Sequence, residues 1–160
     1  MPRQDKGFTF VEVMIVVFIV GTLALILVPT FSSHQDEQKL IGAATELVSV
    51  LRFAGSEANR TKTPLRLEIT PASEVYALKI NSSGALLYHP LDKWPFQTSW
   101  RTPSPYAGVD IVTVNNSAAF SAILFNARGT VAADTTIVLQ YAGHRRDLLL
   151  SSATGRIAVQ

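Results

Sequence analysis

The stretch KGFTFVEVMIVVFIVGTLALILVP, residues 6–29, decides how the rest of the chain is organised. Its apolar part runs from Phe8 to Val28. As a helix that part would extend about 32 Å at 1.5 Å per residue, which matches the roughly 30 Å core of a bilayer. Arg3 and Lys6 precede it. Basic residues ahead of a span predict a single-pass segment with a cytoplasmic N terminus and the rest of the chain outside.

Two simpler interpretations of this stretch meet specific difficulties. A secretory signal would have an apolar region of only about 7 to 15 residues and a small-x-small cleavage site, whereas Pro29, Thr30 and Phe31 follow this run. A plain anchor leaves Glu12 unexplained, since a carboxylate inside a span costs about 2.5 to 3.5 kcal/mol. If the chain were cut after Gly7, the new α-amine would lie about one turn from that carboxylate. Pairing with such an amine and snorkelling to the interface remain the two explanations.

The residues around this acid resemble the prepilin processing motif of type IV pilins and type II secretion pseudopilins. The resemblance implies that a membrane prepilin peptidase cuts after Gly7 and methylates the new N-terminal Phe8. It also implies that Glu12 is the family's acidic fifth residue of the mature chain. Pro29 falls at the family's proline that loosens or kinks the helix.

The same resemblance implies a role for Glu12 in assembly. In a filament of this family, its carboxylate would pair with the N-terminal amine of a neighbouring subunit. An unpaired charge in a membrane is costly, so this pairing would favour one register during assembly. The chain departs from the family at Phe10-Val11, where Leu-Ile is frequent.

Beyond the apolar run, a second helical pattern predicts an amphipathic helix. Apolar residues recur at spacings of three and four, which is typical of a core-facing stripe. The stripe consists of Leu40, Ala44, Leu47, Leu51, Ala54 and Ala58. The charged residues Glu37, Lys39, Glu46, Arg52 and Glu57 lie on the other face. The polar segment 58–64, which ends in proline, predicts the end of the helix.

The remainder of the chain has the period of two that is typical of strands. LRLEI at 65–69 alternates strictly, and VYALKI at 75–80 follows it. NSSG at 81–84 predicts a turn, with a returning strand at 85–89. A stretch rich in proline and aromatic residues, 90–108, predicts a long loop. Further strands are predicted at 109–114, 122–125, 136–141, 147–150 and 156–159. One long helix followed by strands predicts an α+β fold.

Three later segments resemble the H-type minor pseudopilins, the GspH/FimT family. They are ELVSVLRFAGSEANRTKTPLRLEI at 46–69, LFNARGT at 124–130 and LLLSSATGRIAVQ at 148–160. The resemblance implies a pilin-like fold in which the long N-terminal helix packs on an antiparallel, sandwich-like β head. The expected organisation is a leader at 1–7, a membrane and filament-core helix at 8–30, an amphipathic helix at 31–60 and a periplasmic head at 65–160.

Composition and side-chain chemistry argue against an enzyme or a metalloprotein. The 160 residues carry 14 basic and 12 acidic side chains and no cysteine, so disulfides and thiolate sites are excluded. His34, His89 and His144 have no metal-ligand spacing. Ser33, His34 and Asp36 lie close together along one solvated helical segment. They are therefore not expected to form a catalytic triad, whose members converge from separate parts of a fold. No cofactor is expected, and no acid-rich loop predicts calcium.

Two basic clusters are weaker candidates for nucleic-acid contact. Arg145, Arg146 and Arg156, with Arg128, would gather if the C-terminal hairpin brought them together. The sequence GHRRD at 143–147 otherwise predicts a turn with exposed charges. One branch of the family binds DNA through Gly-Arg-x-Arg, whereas Gly155-Arg156-Ile157-Ala158 lacks the second arginine.

The second cluster is an aromatic and basic loop. It comprises Lys93, Trp94, Trp100 and Arg101. Bases can stack on such side chains, but tryptophans packed within their own loop or against a neighbouring subunit are the favoured interpretation.

These observations lead to three hypotheses of different classes. The first is a structural minor pseudopilin of the type II secretion system, single-pass in the bacterial inner membrane and then part of a periplasmic filament near its tip. Its implied partners are other minor and major pseudopilins, the prepilin peptidase, the assembly platform and the lipid bilayer. The second is a FimT-like type IV pilus minor pilin that acts in pilus assembly or DNA uptake. The third, a membrane-tethered periplasmic enzyme, lacks a catalytic cluster.

Overall fold

The structure is a computed structural model that describes residues 7–89, 93–101 and 103–160, with the backbone alone at 25–33. The described residues form one long helix, eight strands and a short 3-10 turn at Pro71–Ser73. The elements are α1 (Phe10–Thr61), β1 (Leu65–Thr70), β2 (Val75–Ile80), β3 (Gln97–Ser99), β4 (Asp110–Val114), β5 (Ser121–Phe125), β6 (Thr135–Tyr141), β7 (His144–Leu150) and β8 (Ile157–Val159).

The chain divides into two compact units, with the boundary between Gln35 and Asp36. In the first unit the described side chains from Gly7 to Leu23 are exposed, although most of them are apolar. No helix within the described ranges is both long enough and apolar enough to cross a membrane. The predicted span at 8–28 therefore stays a prediction.

In the second unit, the C-terminal half of α1 contributes one side of the hydrophobic core. All six residues of the predicted stripe are buried, as are Ala43, Val48 and Val50 beside them. The alanines at three of these positions have no long side chain, so the strands can approach the helix closely. The prediction of a core-facing stripe is confirmed.

Two antiparallel four-stranded sheets complete the core. Their strand orders are β3-β2-β1-β5 and β4-β6-β7-β8. Period-two alternation places apolar side chains of both sheets in one cluster with the helix. From the first sheet these are Leu65, Leu67, Ile69, Tyr76, Leu78, Ile123 and Phe125, and from the second Ile111, Val114, Ile137, Leu139, Leu148 and Leu150. The predicted α+β fold, a helix packed on an antiparallel β head, is confirmed.

The connection after β2 differs from the prediction. Residues 85–89 form no strand and make only isolated bridges, Lys79 to Leu86 and Tyr88 to Pro95. The third strand of this sheet is instead β3, which lies inside the predicted loop and pairs with β2 from Val75 to Ala77. Buried Phe96 and Trp100 flank β3 and hold it against the core. Period-two patterning could not find a strand of three residues with polar side chains.

The β6–β7 turn is also tighter than predicted. The segment 143–147 was expected to be a turn, but Ala142 and Gly143 alone form it, both with positive φ. Two central residues of this kind match the twist of a hairpin. The arginines at 145 and 146 consequently belong to β7.

A direct backbone contact joins α1 to the turn after β5. A Cβ built on Gly55 would lie 2.7 Å from the carbonyl oxygen of Gly129. A Cβ on Gly129 would in turn overlap the carbonyl oxygen of Gly55, and Gly129 has a φ of +83°. Both space and backbone conformation therefore require glycine at 129.

Candidate functional site

The predicted cleavage junction lies at the exposed start of the first unit. Phe8 is 86% exposed, and apart from its chain neighbours no atom of the described residues lies within 4 Å of a Cβ built on Gly7. The fold therefore imposes no steric need for glycine at position 7. Helix α1 begins only at Phe10, so the Gly7–Phe8 bond precedes the helix and is accessible.

Glu12 takes part in a capping arrangement at the start of α1. Its Oε2 accepts from the backbone N–H of Thr9 at 3.3 Å and from the Thr9 hydroxyl at 3.4 Å. The Thr9 Oγ1 accepts from the Glu12 N–H at 3.3 Å. These contacts form a capping box, with Thr9 as N-cap. The motif Thr-x-x-Glu at 9–12 was present in the sequence, and the prediction for Glu12 overlooked it.

The capping box holds the Glu12 carboxylate against Thr9, the residue that directly follows the predicted new N terminus at Phe8. Its present donor is the N–H of Thr9, and the amine of Phe8 would be created next to it by cleavage. The Glu12 carboxylate is thus stabilised in part by the N terminus of its own helix before any partner subunit is present, because anions are favoured there. The contacts at 3.3 to 3.4 Å are long for hydrogen bonds, so they can be exchanged for a stronger partner.

The predicted kink at Pro29 lies where only the backbone is described. Helix α1 is continuous from Phe10 to Thr61 and is not interrupted at this position. The proline lacks an N–H, so one hydrogen bond of the ladder is missing there. A bend at this point stays a prediction.

Glu46 is a structural residue that the sequence analysis assigned to the solvated face of the helix. Its Oε1 accepts from the Tyr76 hydroxyl and, at 3.3 Å, from Trp100 Nε1. Burial and the nearby carboxylate raise the pKa of the Tyr76 phenol well above its usual value. The two aromatic rings pack edge to face at 6.0 Å. One acid therefore satisfies two aromatic donors in the core, and nothing in the local pattern indicated it.

Two further charged residues of the helix bind the head rather than solvent. Lys39 Nζ donates to the Ala107 carbonyl at 2.6 Å and lies 4.5 Å from the centre of the Tyr141 ring. Glu37 accepts from Arg146 at 2.9 Å. The charged face predicted for this helix is thus partly a packing surface of the second unit.

The structure does not bring the three arginines of the predicted cluster together. Arg145 is bound by both oxygens of Asp147, at 2.7 and 2.8 Å, and this contact lowers the pKa of Asp147. Arg146 points to the opposite face of β7, toward Glu37. Arg156 lies opposite Ser151, about 20 Å from Arg145 at 3.3 Å per strand residue. The hairpin spreads these charges along its length, because β7 is longer than the prediction assumed.

The aromatic and basic loop is also divided. Trp100 is fully buried, whereas Trp94 is 72% exposed. Arg101 donates to the Ala72 carbonyl at 2.8 Å, and Lys93 is exposed. Packing of a tryptophan within its own loop, the favoured interpretation, is therefore correct for Trp100.

The described residues contain no group of three histidine or acidic side chains placed to bind a metal ion. Of the predicted polar neighbours, His34 is exposed and Asp36 is half-buried. The side chain of Ser33 lies outside the described residues. His89 stacks on Phe96 at 5.0 Å.

Comparison with known families divides the chain at nearly the same point as its geometry. Residues 2–28 match the prokaryotic N-terminal methylation motif. Residues 43–155 match the type II transport protein GspH. The second match covers more than half of the chain and contains every strand except β8.

Individual relatives include type II secretion proteins of two organisms. The chain is 28% identical to the type II secretion system core protein G of Klebsiella pneumoniae, over 70% of this chain and 85% of the relative. The chain is 31% identical to the protein of the same name from Pseudomonas aeruginosa, over 59% of this chain and 73% of the relative.

Two solved structures share the fold. The minor pseudopilin EpsH of Vibrio cholerae has a TM-score of 0.59 at 12% identity, over 76% of this chain and 96% of that one. The type IV minor pilin FimU of P. aeruginosa has a TM-score of 0.56 at 22% identity, over 78% and 90%. At these identities the likeness concerns architecture.

Proposed function

The chain belongs to the family of the type II transport protein GspH, and on this premise we propose that it is a minor pseudopilin, a structural subunit of the type II secretion filament. The observation that carries the proposal is the combination of a processing motif with a head of this family. The subunit does no chemistry of its own. It contributes an exposed apolar helix to a filament core and a closed head to the filament surface.

Before assembly, the precursor would lie in the bacterial inner membrane with its head in the periplasm. A prepilin peptidase would hydrolyse the Gly7–Phe8 bond and methylate the new amine. The exposure of Phe8 and the absence of neighbours around Gly7 support access to this bond. Extraction into a short filament would follow, with other minor and major pseudopilins and the assembly platform as partners and a position near the tip.

The capping box gives this assembly step a physical sequence. In the membrane, Glu12 is held by Thr9 through long hydrogen bonds. Cleavage creates a positive amine on Phe8, and a neighbouring subunit presents an equivalent amine. A charged pair in a low-dielectric surrounding is stronger than a neutral cap. Glu12 therefore exchanges an intrachain donor for an interchain amine as the subunit enters the filament.

Intact mass and N-terminal analysis of the protein extracted from membranes test the first step. The proposal requires a chain that begins at N-methylated Phe8. A chain that keeps residues 1–7 would reduce the protein to a simple anchor. Gly7→Ala should leave the head folded and block cutting, because its effect would fall on the peptidase alone.

Three variants separate assembly from capping at the second step. Glu12→Ala and Glu12→Gln should be inserted and cut, yet fail to enter filaments and to support secretion. Thr9→Val, which removes the hydroxyl of the cap and keeps the carboxylate, should assemble. If Thr9→Val fails as completely as Glu12→Ala, capping accounts for the acid and interchain pairing is refuted.

A type IV pilus minor pilin is the second candidate, favoured by the architecture shared with FimU. Deletion of the gene distinguishes the machines, since loss of exported proteins indicates secretion and loss of surface pili indicates the pilus. A DNA role is tested by salt-dependent binding of the purified full-length protein. Arg156→Gln should then reduce the slope against salt by about one contact, and no binding at low salt would remove that role.

A further inference from the structure

Strand β8 is one of the two edge strands of the second sheet. It pairs with β7 alone. The hydrogen-bonded pairs are Asp147 with Gln160 and Ser151 with Arg156. Because such pairs alternate along an antiparallel ladder, the N–H and C=O groups of Ile157 and Val159 point away from β7. Within the described chain these groups have no partner, so the edge can accept another strand.

A groove runs between this edge and α1. Its wider part has a volume of about 430 Å³. It is lined by Ile41, Ala44, Thr45, Val48, Arg52, Arg146 and Val159. An adjoining cavity shares Arg52 and continues past Ser56 and Ile157. From Ile41 to Ser56 the helix extends about 22 Å at 1.5 Å per residue, which is the length of a strand of six or seven residues.

The charges around the groove are positive and partly unbalanced. Arg52 is exposed and makes no hydrogen bond or ion pair within the described chain. Arg156 does not contribute, because it lies on the outer face of the sheet beside Leu149 and Ala158. Arg146 is already bound by Glu37. The free guanidinium group of Arg52 at an apolar groove favours a ligand that carries a carboxylate.

We propose that the groove between α1 and the free edge of β8 receives an extended, acidic segment of a partner protein, which joins the second sheet as a fifth strand. Backbone hydrogen bonds to Ile157 and Val159 would give affinity. Alternate apolar side chains would cover Val159, which is half exposed. A carboxylate on the same face of the added strand would meet Arg52. This docking site would serve either kind of filament and so does not depend on the proposed function.

The charge pattern favours a partner protein over a second copy of this chain. Two copies paired edge to edge along β8 would bring the Arg52 groups of their two grooves toward one another. Like charges brought together across an interface oppose association. An acidic segment turns the same charges into an attraction.

The test uses the full-length protein in detergent micelles and a synthetic capped heptapeptide, Thr-Val-Thr-Glu-Thr-Val-Thr, whose valines and glutamate share one face of an extended strand. A second peptide has lysine in place of the glutamate. Amide exchange is followed residue by residue. At ten times its Kd, the acidic peptide should slow exchange at Ile157 and Val159 about tenfold. The lysine peptide should give no protection. Absence of protection with millimolar acidic peptide, or equal protection by both peptides, overturns the proposal.

Matched variants separate docking from folding. Arg52→Gln should weaken binding about two- to fivefold, whereas Arg60→Gln, the same change farther along the helix, should not. Val159→Pro removes an outward N–H and should abolish binding without breaking the β7–β8 ladder. Ala158→Pro removes an inward N–H and should lower the stability of the head. Binding unaffected by Arg52→Gln and Val159→Pro overturns the site, and amide protection that grows with protein concentration alone assigns it to a second copy.

Discussion

The N-terminal part of helix α1 is more apolar than the C-terminal part, yet its described side chains are exposed whereas the apolar face of the C-terminal part is buried. In the first unit Phe18 is 73% exposed, while in the second Leu47 is fully buried. The described side chains of the first unit form no core, and the second unit closes a core from one helix and two sheets. Substitutions in the first unit are therefore expected to affect processing and contacts with neighbouring subunits. Substitutions in the second unit are expected to affect the packing of the head.

The two acids on this helix show the same contrast. Glu12 makes long hydrogen bonds to an exposed threonine, whereas Glu46 holds two aromatic donors against the core. A carboxylate whose partners are weak can exchange them for others. A carboxylate that satisfies buried donors cannot leave without a cost of about 1 to 3 kcal/mol for each donor left unpaired.

The largest expected difference concerns apolar truncation in the two units. Leu47→Ala should lower the free energy of unfolding of the head by about 2 to 5 kcal/mol, because it leaves a cavity in the core. Phe18→Ala should change it by less than about 0.5 kcal/mol and should instead impair filament entry. Chemical unfolding in micelles, followed by tryptophan fluorescence, measures both. Equal destabilisation would contradict the division into two units.

The contact between Gly55 and Gly129 should give the next largest effect. Gly129→Ala should cost roughly 2 to 4 kcal/mol, since the methyl group adds overlap to an unfavourable positive φ. Gly143→Ala is the control, because Gly143 has a φ of +85° and nothing within 4 Å of its Cβ. It should cost only about 1 kcal/mol. Similar midpoints in urea for the two variants would show that the close approach is unimportant.

Removal of the half-buried acid Glu46 should have a moderate effect. Glu46→Ala should cost about 1 to 3 kcal/mol because the Tyr76 hydroxyl and the Trp100 N–H lose their acceptor. Glu57→Ala removes an acid that pairs with the exposed Arg60 and should cost less than about 0.5 kcal/mol. Near-ultraviolet circular dichroism should change only for Glu46→Ala. Unchanged circular dichroism in both variants would contradict the role of Glu46 as the acceptor for Tyr76 and Trp100.

The smallest expected effect is a pH dependence at the junction of β2 and β4. Burial and the neighbouring Asp110 raise the pKa of Glu74. The pKa of Glu74 is therefore higher in the folded protein than in the unfolded chain. The contribution of Glu74 to the free energy of unfolding is fully present below about pH 4 and is lost as the pH rises through the folded pKa. Glu74→Gln should be more stable than wild type at pH 7, with the gain vanishing near pH 4. A gain that is the same at both values would exclude this titration.

Much of the head could be predicted from local periodicity. The stripe from Leu40 to Ala58 is buried in full, and the strand expected at 75–80 is β2 without a shift of either end. Spacings of three and four or of two report which face of an element is apolar, and burial follows from that face. The capping box could also have been predicted from the sequence, because its two partners, Thr9 and Glu12, are only three residues apart.

The sequence by itself determined the long helix with its buried stripe, most of the strands and the capping motif ahead of the helix, since each depends on residues close together along the chain. Tertiary structure alone decided that Glu46 would meet Tyr76 and Trp100, that Gly55 would touch Gly129, and that β8 would be left as an open edge. These contacts join residues from distant parts of the chain. Their pairing depends on how helix and sheets share one core, which no local period encodes.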